Sequence, residues 1–125
     1  MGITTVGKDK FLDQINGATS TPINSMGVGT DSTAFAVGQT KLNPTVTGSV
    51  LLQALDATFP SRAAEVATYQ STYASGSANF AQNELGLFDG TTNGTSKMVN
   101  RIVLGGTVNK VSGEVVIWVI TLTQA

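Results

Sequence analysis

FAQNELGLFDGTTNGTSKMVNRIVL, residues 80–104, decides the fold. Two apolar runs flank a stretch of Gly, Thr and Asn. Asn93-Gly94 lies between them, and both residue types tolerate positive φ, so the pattern predicts a β-hairpin. Residues 80–88 make its first strand and residues 97–104 return. On the return strand Met98, Ile102 and Leu104 are expected on one face, with Lys97 and Arg101 on the other. Counting back from a loop centred near residues 91–94 sets Glu84 roughly opposite Arg101. A carboxylate inside an apolar strand needs a partner, and the count predicts a cross-strand Glu84–Arg101 ion pair. Exposed, such a pair contributes about 0.2–1 kcal/mol. Buried in an interface, loss of one partner would cost several times as much.

Working outward from the hairpin gives the other elements. A turn at residues 109–113 leads into EVVIWVITLT, residues 114–123. Val116, Trp118, Ile120 and Leu122 share one face, and Val115, Ile117 and Val119 the other. Apolar residues on both faces predict a central strand, covered by a helix or by another subunit. Upstream, Ala67, Tyr69, Ser71 and Tyr73 alternate with polar residues, and Ser75-Gly76-Ser77 closes that strand. Residues 50–59 fit a helical stripe as well as alternation; the strand is preferred, and Pro60 ends it. Residues 23–28 read as a strand that Gly27 and Gly29 terminate. A long ordered excursion rich in Thr, Ser and Gly then runs to Leu42 and a turn at Asn43-Pro44. Loops of that length are usually functional or held by a partner. Near the start, Phe11, Leu12, Ile15 and Ala18 recur at helical spacing opposite Lys8, Asp9, Asp13 and Gln14. They predict a helix over residues 8–16, stopped at Asn16-Gly17, after a short arm at 1–7.

The fold class that follows is mainly β: an antiparallel β-sandwich or partly open barrel with one short N-terminal helix. The 125 residues are expected to form a single domain, β-rich over 23–123.

Composition narrows the function. Only 12% of residues are charged, about half the level usual for globular chains. A lone domain normally keeps itself dispersed with mixed surface charge. A near-neutral chain therefore suggests a surface covered by partners; the plainer alternative is a monomer with a Thr/Ser surface. Seven Lys and Arg are scattered singly against eight Asp and Glu, unlike the basic stripe of a nucleic-acid binder. The chain contains no Cys and no His, which removes thiolate chemistry and the commonest general base and metal ligand. No run of about 18 apolar residues suggests a transmembrane helix. The expectation is no nucleic acid, no membrane, no metal and no cofactor.

Candidate chemistry is thin. Gly27-Val28-Gly29 followed by Ser32 is a broken glycine fingerprint without a strand–helix crossover. The stretch 90–97 has the wrong spacing for a phosphate loop. Asp56, Glu65, Glu84 and Asp89 include carboxylates that chance could pair as in glycoside hydrolysis. Asp89 with Asn93 offers oxygen ligands for calcium, but no spaced series recurs. Chance proximity among eight carboxylates explains the first better and turn chemistry the second, and no catalytic residue is assigned.

Three segments carry a resemblance. Val28-Gly29-Thr30, running on to Ala34-Phe35-Ala36-Val37-Gly38-Gln39-Thr40-Lys41-Leu42, resembles the "GTGTTAPAAGDTAL" segment of small tailed-phage virion structural proteins. Ala78-Asn79-Phe80-Ala81-Gln82-Asn83-Glu84-Leu85-Gly86-Leu87-Phe88-Asp89 is similar to their "ANFAWNEWGIFNA" or "EIGLFDA" strand, found also in tail-collar fibre domains. Met98-Val99-Asn100-Arg101 is similar to their "MLNR" return strand. Order and spacing agree over most of the chain. The departures are Gln82 and Leu85, where aromatic residues are frequent, which puts an aromatic patch there in doubt.

The resemblance implies a non-enzymatic virion protein. The favoured expectation is a capsid decoration (cement) protein on the head surface, trimeric or otherwise homo-oligomeric, touching the major capsid protein. The alternative is a tail, baseplate or neck component, such as a collar-like attachment module. A receptor- or glycan-binding module is a third class, with Tyr69 and Tyr73 as its only aromatic candidates. The contact segment is expected along the excursion, at Thr30, Asp31, Phe35, Val37 and Leu42.

Overall fold

A computed structural model describes residues 2–43 and 49–124. The elements are β1 (Gly2–Ile3), α1 (Thr5–Ile15), β2 (Ser25–Gly29), β3 (Val50–Ala54), β4 (Ser61–Ala63), β5 (Val66–Tyr73), β6 (Ala81–Phe88), β7 (Met98–Asn109) and β8 (Val116–Thr123). They form two antiparallel sheets, one in the order β1-β7-β6-β2-β3 and one in the order β4-β5-β8. The chain is mainly β, an open sandwich with one short helix. Pro44, half of the turn expected after the excursion, lies outside the described residues.

Alternation in the strands builds the core between the sheets. Met26 and Val28 of β2, Leu85 and Leu87 of β6, Tyr69 and Tyr73 of β5 and Ile120 of β8 are all buried there. Each fully buried side chain of this size contributes about 1.5–3 kcal/mol. Tyr73 also donates its hydroxyl to the Met26 carbonyl at 2.9 Å, which joins the sheets. A second apolar cluster of Leu42, Leu52, Phe88 and Met98 lies on the opposite face of the five-stranded sheet. The excursion covers that face.

Several expectations need correction. The helix begins at Thr5, not at residue 8, because Thr4 caps it: its Oγ accepts from the Gly7 amide at 2.9 Å. The same hydroxyl donates to the Met98 carbonyl, so the cap pins α1 to β7. The buried helix residues are Gly7 and Lys10. Of the expected apolar face only Phe11 packs on the core, while Leu12 and Ile15 are 56% and 79% exposed. Gly7 sits against the Val99 backbone, and that approach turns Lys10 inward. Gly17 takes φ +76°, as the expected stop requires.

Gly27 does not end β2 but lies within it, whereas Gly29 is its last residue, as expected. β8 is an edge strand, not a central one. Its Val116, Trp118, Ile120 and Leu122 face the core, but Ile117 and Val119 are 55% and 50% exposed. Met98 does not share a face with Ile102 and Leu104. An extra residue, Val99, enters β7 where the register passes from Leu87↔Asn100 to Phe88↔Met98, and this β-bulge sends Met98 to the second cluster.

Candidate functional site

Residues 30–43 lie down on the outer face of the five-stranded sheet, and the buried charges beneath them form the best-defined polar site. Space for this segment comes from small residues. A side chain at Gly27 would meet Leu42 and Leu52, and one at Gly29 would meet the Glu84 carboxylate. Both positions are closed to anything but glycine without rearrangement.

Glu84 and Arg101 are fully buried, and Arg101 Nε donates to Glu84 Oε2 at 2.6 Å. The two residues are not directly opposite. Glu84 faces Val103 and Arg101 faces Gly86, so the pair is diagonal. The bulge at Val99 is what makes it possible. Without the extra residue, the Phe88↔Met98 register would carry on to set Arg101 beside Leu85, on the wrong face of the sheet. Asn100 fills the gap by accepting from the Leu87 amide at 2.9 Å.

From this pair the site reaches into the excursion. Arg101 Nη1 donates to the Thr33 carbonyl at 2.7 Å and Nη2 to the Asp31 carbonyl at 3.3 Å. The Asp31 carboxylate lies 3.7 Å from Nη2. Glu84 Oε1 accepts from the Asn43 amide at 2.7 Å, and Asn43 Oδ1 accepts from the Asp31 amide at 3.0 Å. The guanidinium thus holds one end of the segment and the carboxylate the other. Two further anchors flank them. Asn93 bridges both backbone groups of Leu42, and Val37 accepts from the Thr5 amide at 2.8 Å.

The electrostatics follow from burial. Loss of solvent pushes the Glu84 carboxyl above its ordinary value, and the Arg101 and Asn43 hydrogen bonds pull back without cancelling it. Burial acts on Asp31 in the same sense. There the Thr33 amide and hydroxyl, the Arg101 charge and the Ser32 amide together win and hold the carboxyl below its usual range. Both Glu84 oxygens are engaged by the protein. The arrangement is suited to fastening one chain segment to another.

The expected contact residues divide. Asp31 and Leu42 are buried within the chain, so they face the sheet and not a partner. Thr30 and Phe35 are half-buried, and a side chain at Gly2 would strike the Phe35 ring. Val37 alone of the five is exposed. The segment is therefore fastened by contacts within its own chain.

The partners of Asp56 and Asp89, and the buried site of Lys110, are not legible in the sequence. Asp56 accepts from the Thr72 hydroxyl at 2.6 Å, the Thr72 amide at 3.0 Å and Gln70 at 3.0 Å. These bonds, the Thr72 hydroxyl first, lower its carboxyl from the ordinary value against the opposing effect of burial. Lys10 pairs with Asp89 at 3.0 Å, and buried Lys110 donates to the Ala74 carbonyl and to Asn79. Asp89 thus serves a lysine and the Lys97 amide. No cluster of metal-ligating side chains occurs among the described residues. Tyr69 and Tyr73 point into the core and form no aromatic platform. No helix is long and apolar enough to cross a membrane among the described residues.

No family model matches the chain, and neither a curated protein nor a solved structure matches it significantly.

Proposed function

We propose that the chain is a non-enzymatic structural component of a tailed-phage virion, and that it works as a capsid decoration protein on the head surface. In this role it packs against copies of itself and the major capsid protein. One observation carries the reading. The three segments that resemble phage virion proteins are distant in sequence, yet each contributes to the same buried clasp: Asp31 and Thr33 from the first, Glu84 from the second, Arg101 from the third. Glu84 and Arg101, whose side chains make the closest ion pair of the clasp, both match the quoted patterns, whereas Asp31 stands where the first pattern has Gly. The near-neutral composition adds to this, since a surface engaged by neighbours has less need of charge. Repeated symmetric contacts on a shell would make weak individual interfaces sufficient.

A tail, baseplate or neck location is the second reading, favoured by the likeness of residues 78–89 to tail-collar strands. A receptor-binding module is less favoured, because its aromatic candidates are buried. Quantitative mass spectrometry of purified particles, with heads and tails separated, tests the assignment. Hundreds of copies that stay with heads support decoration; tens or fewer that stay with tails support the second reading. Absence from particles would overturn both.

A further inference from the structure

Seven large apolar side chains are exposed among the described residues, and four of them, Val111, Val115, Ile117 and Val119, lie on β8 or on the turn into it. β8 is also a sheet edge, bonded on one side to β5. None of the other edge strands, β1, β3 and β4, combines length with an exposed apolar face: β3 has five residues, of which only Ala54 is exposed. β1 has two residues, and β4 has three that include Arg62. β8 runs for eight residues, VIWVITLT, without a charge, a proline or a glycine. Edge strands normally carry such features because an unpaired row of N–H and C=O groups invites another strand. Their absence here, on the strand with the most apolar outer face, marks a surface meant to be covered.

We propose that the free edge of β8 pairs antiparallel with β8 of a second copy of this chain, joining two three-stranded sheets into one. This deepens the self-association part of the proposed function and rests on it. The second copy is favoured because the strand is complementary to itself. A two-fold antiparallel pairing sets Ile117 and Val119 against equally apolar neighbours. It also places the nearest carboxylates, the two Glu114, at opposite ends of the ribbon. An isologous contact of this kind closes after two chains.

Because the chain has no cysteine, single cysteines report contacts cleanly. Ile117→Cys, Val119→Cys and Thr121→Cys on the outer face of β8 would be compared with Arg62→Cys on β4 and Ile15→Cys on α1. Mass by light scattering would be measured beside oxidative cross-linking. The expected result is a wild-type particle of twice the chain mass. Disulfides should form at one or two neighbouring β8 positions and not at Arg62→Cys or Ile15→Cys. Ile117→Lys with Val119→Lys, which brings like charges together across the dyad, should give the mass of one chain with an unaltered circular dichroism spectrum. A trimer, or cross-linking confined to Ile15→Cys or Arg62→Cys, would overturn this pairing while leaving self-association intact. A wild-type monomer would overturn the pairing and the self-association with it. Particle mass spectrometry reads the virion assignment separately.

Discussion

The two outward faces of the sandwich are finished in opposite ways. On the five-stranded sheet, residues 30–43 cover Leu52, Phe88 and Met98 and are tied down through Arg101 and Glu84. On the three-stranded sheet nothing among the described residues covers Ile117 and Val119 of β8. The first face is completed by the chain's own segment at the cost of burying charges, which is tolerable only when every charged group is paired. The second is left apolar, which suits a neighbour. A face covered from within should be intolerant of substitution, and a face awaiting a partner should tolerate change in the isolated chain.

Arg101→Ala should have the largest effect. It strands Glu84 and Asp31 in a buried site, and denaturant unfolding should show a loss of about 3–5 kcal/mol. Gly29→Ala drives a methyl group into the Glu84 carboxylate and should cost about 1–3 kcal/mol by the same measurement. Tyr73→Phe removes the bond to the Met26 carbonyl between the sheets, with an expected loss of about 0.5–1.5 kcal/mol.

Acid titration of stability separates the regions further. Asp56 is lowered from its ordinary value of 3.8, so the unfolded chain binds its proton first. The stability Asp56 contributes is present above pH 3.8 and disappears as pH falls through its folded value. Asp56→Asn should flatten that decline. Glu84 has the opposite sign. Raised above 4.5, it gains its proton more readily in the fold, so acidification through the window above 4.5 adds stability. Arg101→Met with Glu84→Leu should abolish this segment of the pH profile. The smallest effect is expected for Val119→Thr on the exposed face of β8, within about 0.5 kcal/mol for the monomeric chain. A larger loss there would erase the contrast between the faces.

Much of the architecture is legible because period-2 alternation reports burial directly, as at Tyr69, Ser71 and Tyr73. The pairing of Glu84 with Arg101 is legible for a related reason: a charge inside an apolar strand has few ways to be satisfied. What the count from the loop misses is the bulge at Val99, since one inserted residue has no compositional mark, yet it decides the faces of Arg101, Ile102 and Val103, before a second register shift between Val103 and Val108. The start of the helix is hidden from apolar spacing because the capping role of Thr4 depends on a hydroxyl. Lys10 and Lys110 are unforeseen because long side chains reach buried acceptors far away in sequence. Apolar residues on both faces of β8 look the same whether a strand is central or waits at an edge.

Arg101 grips residues 30–43 through the main-chain oxygens of Asp31 and Thr33. Backbone oxygens belong to every amino acid. Ser32, Ala34, Ala36, Gly38 and Thr40 face solvent from a frame whose fastening does not consult their identity. A lineage could rewrite those letters to suit a new neighbour and keep the same hinge-pin underneath.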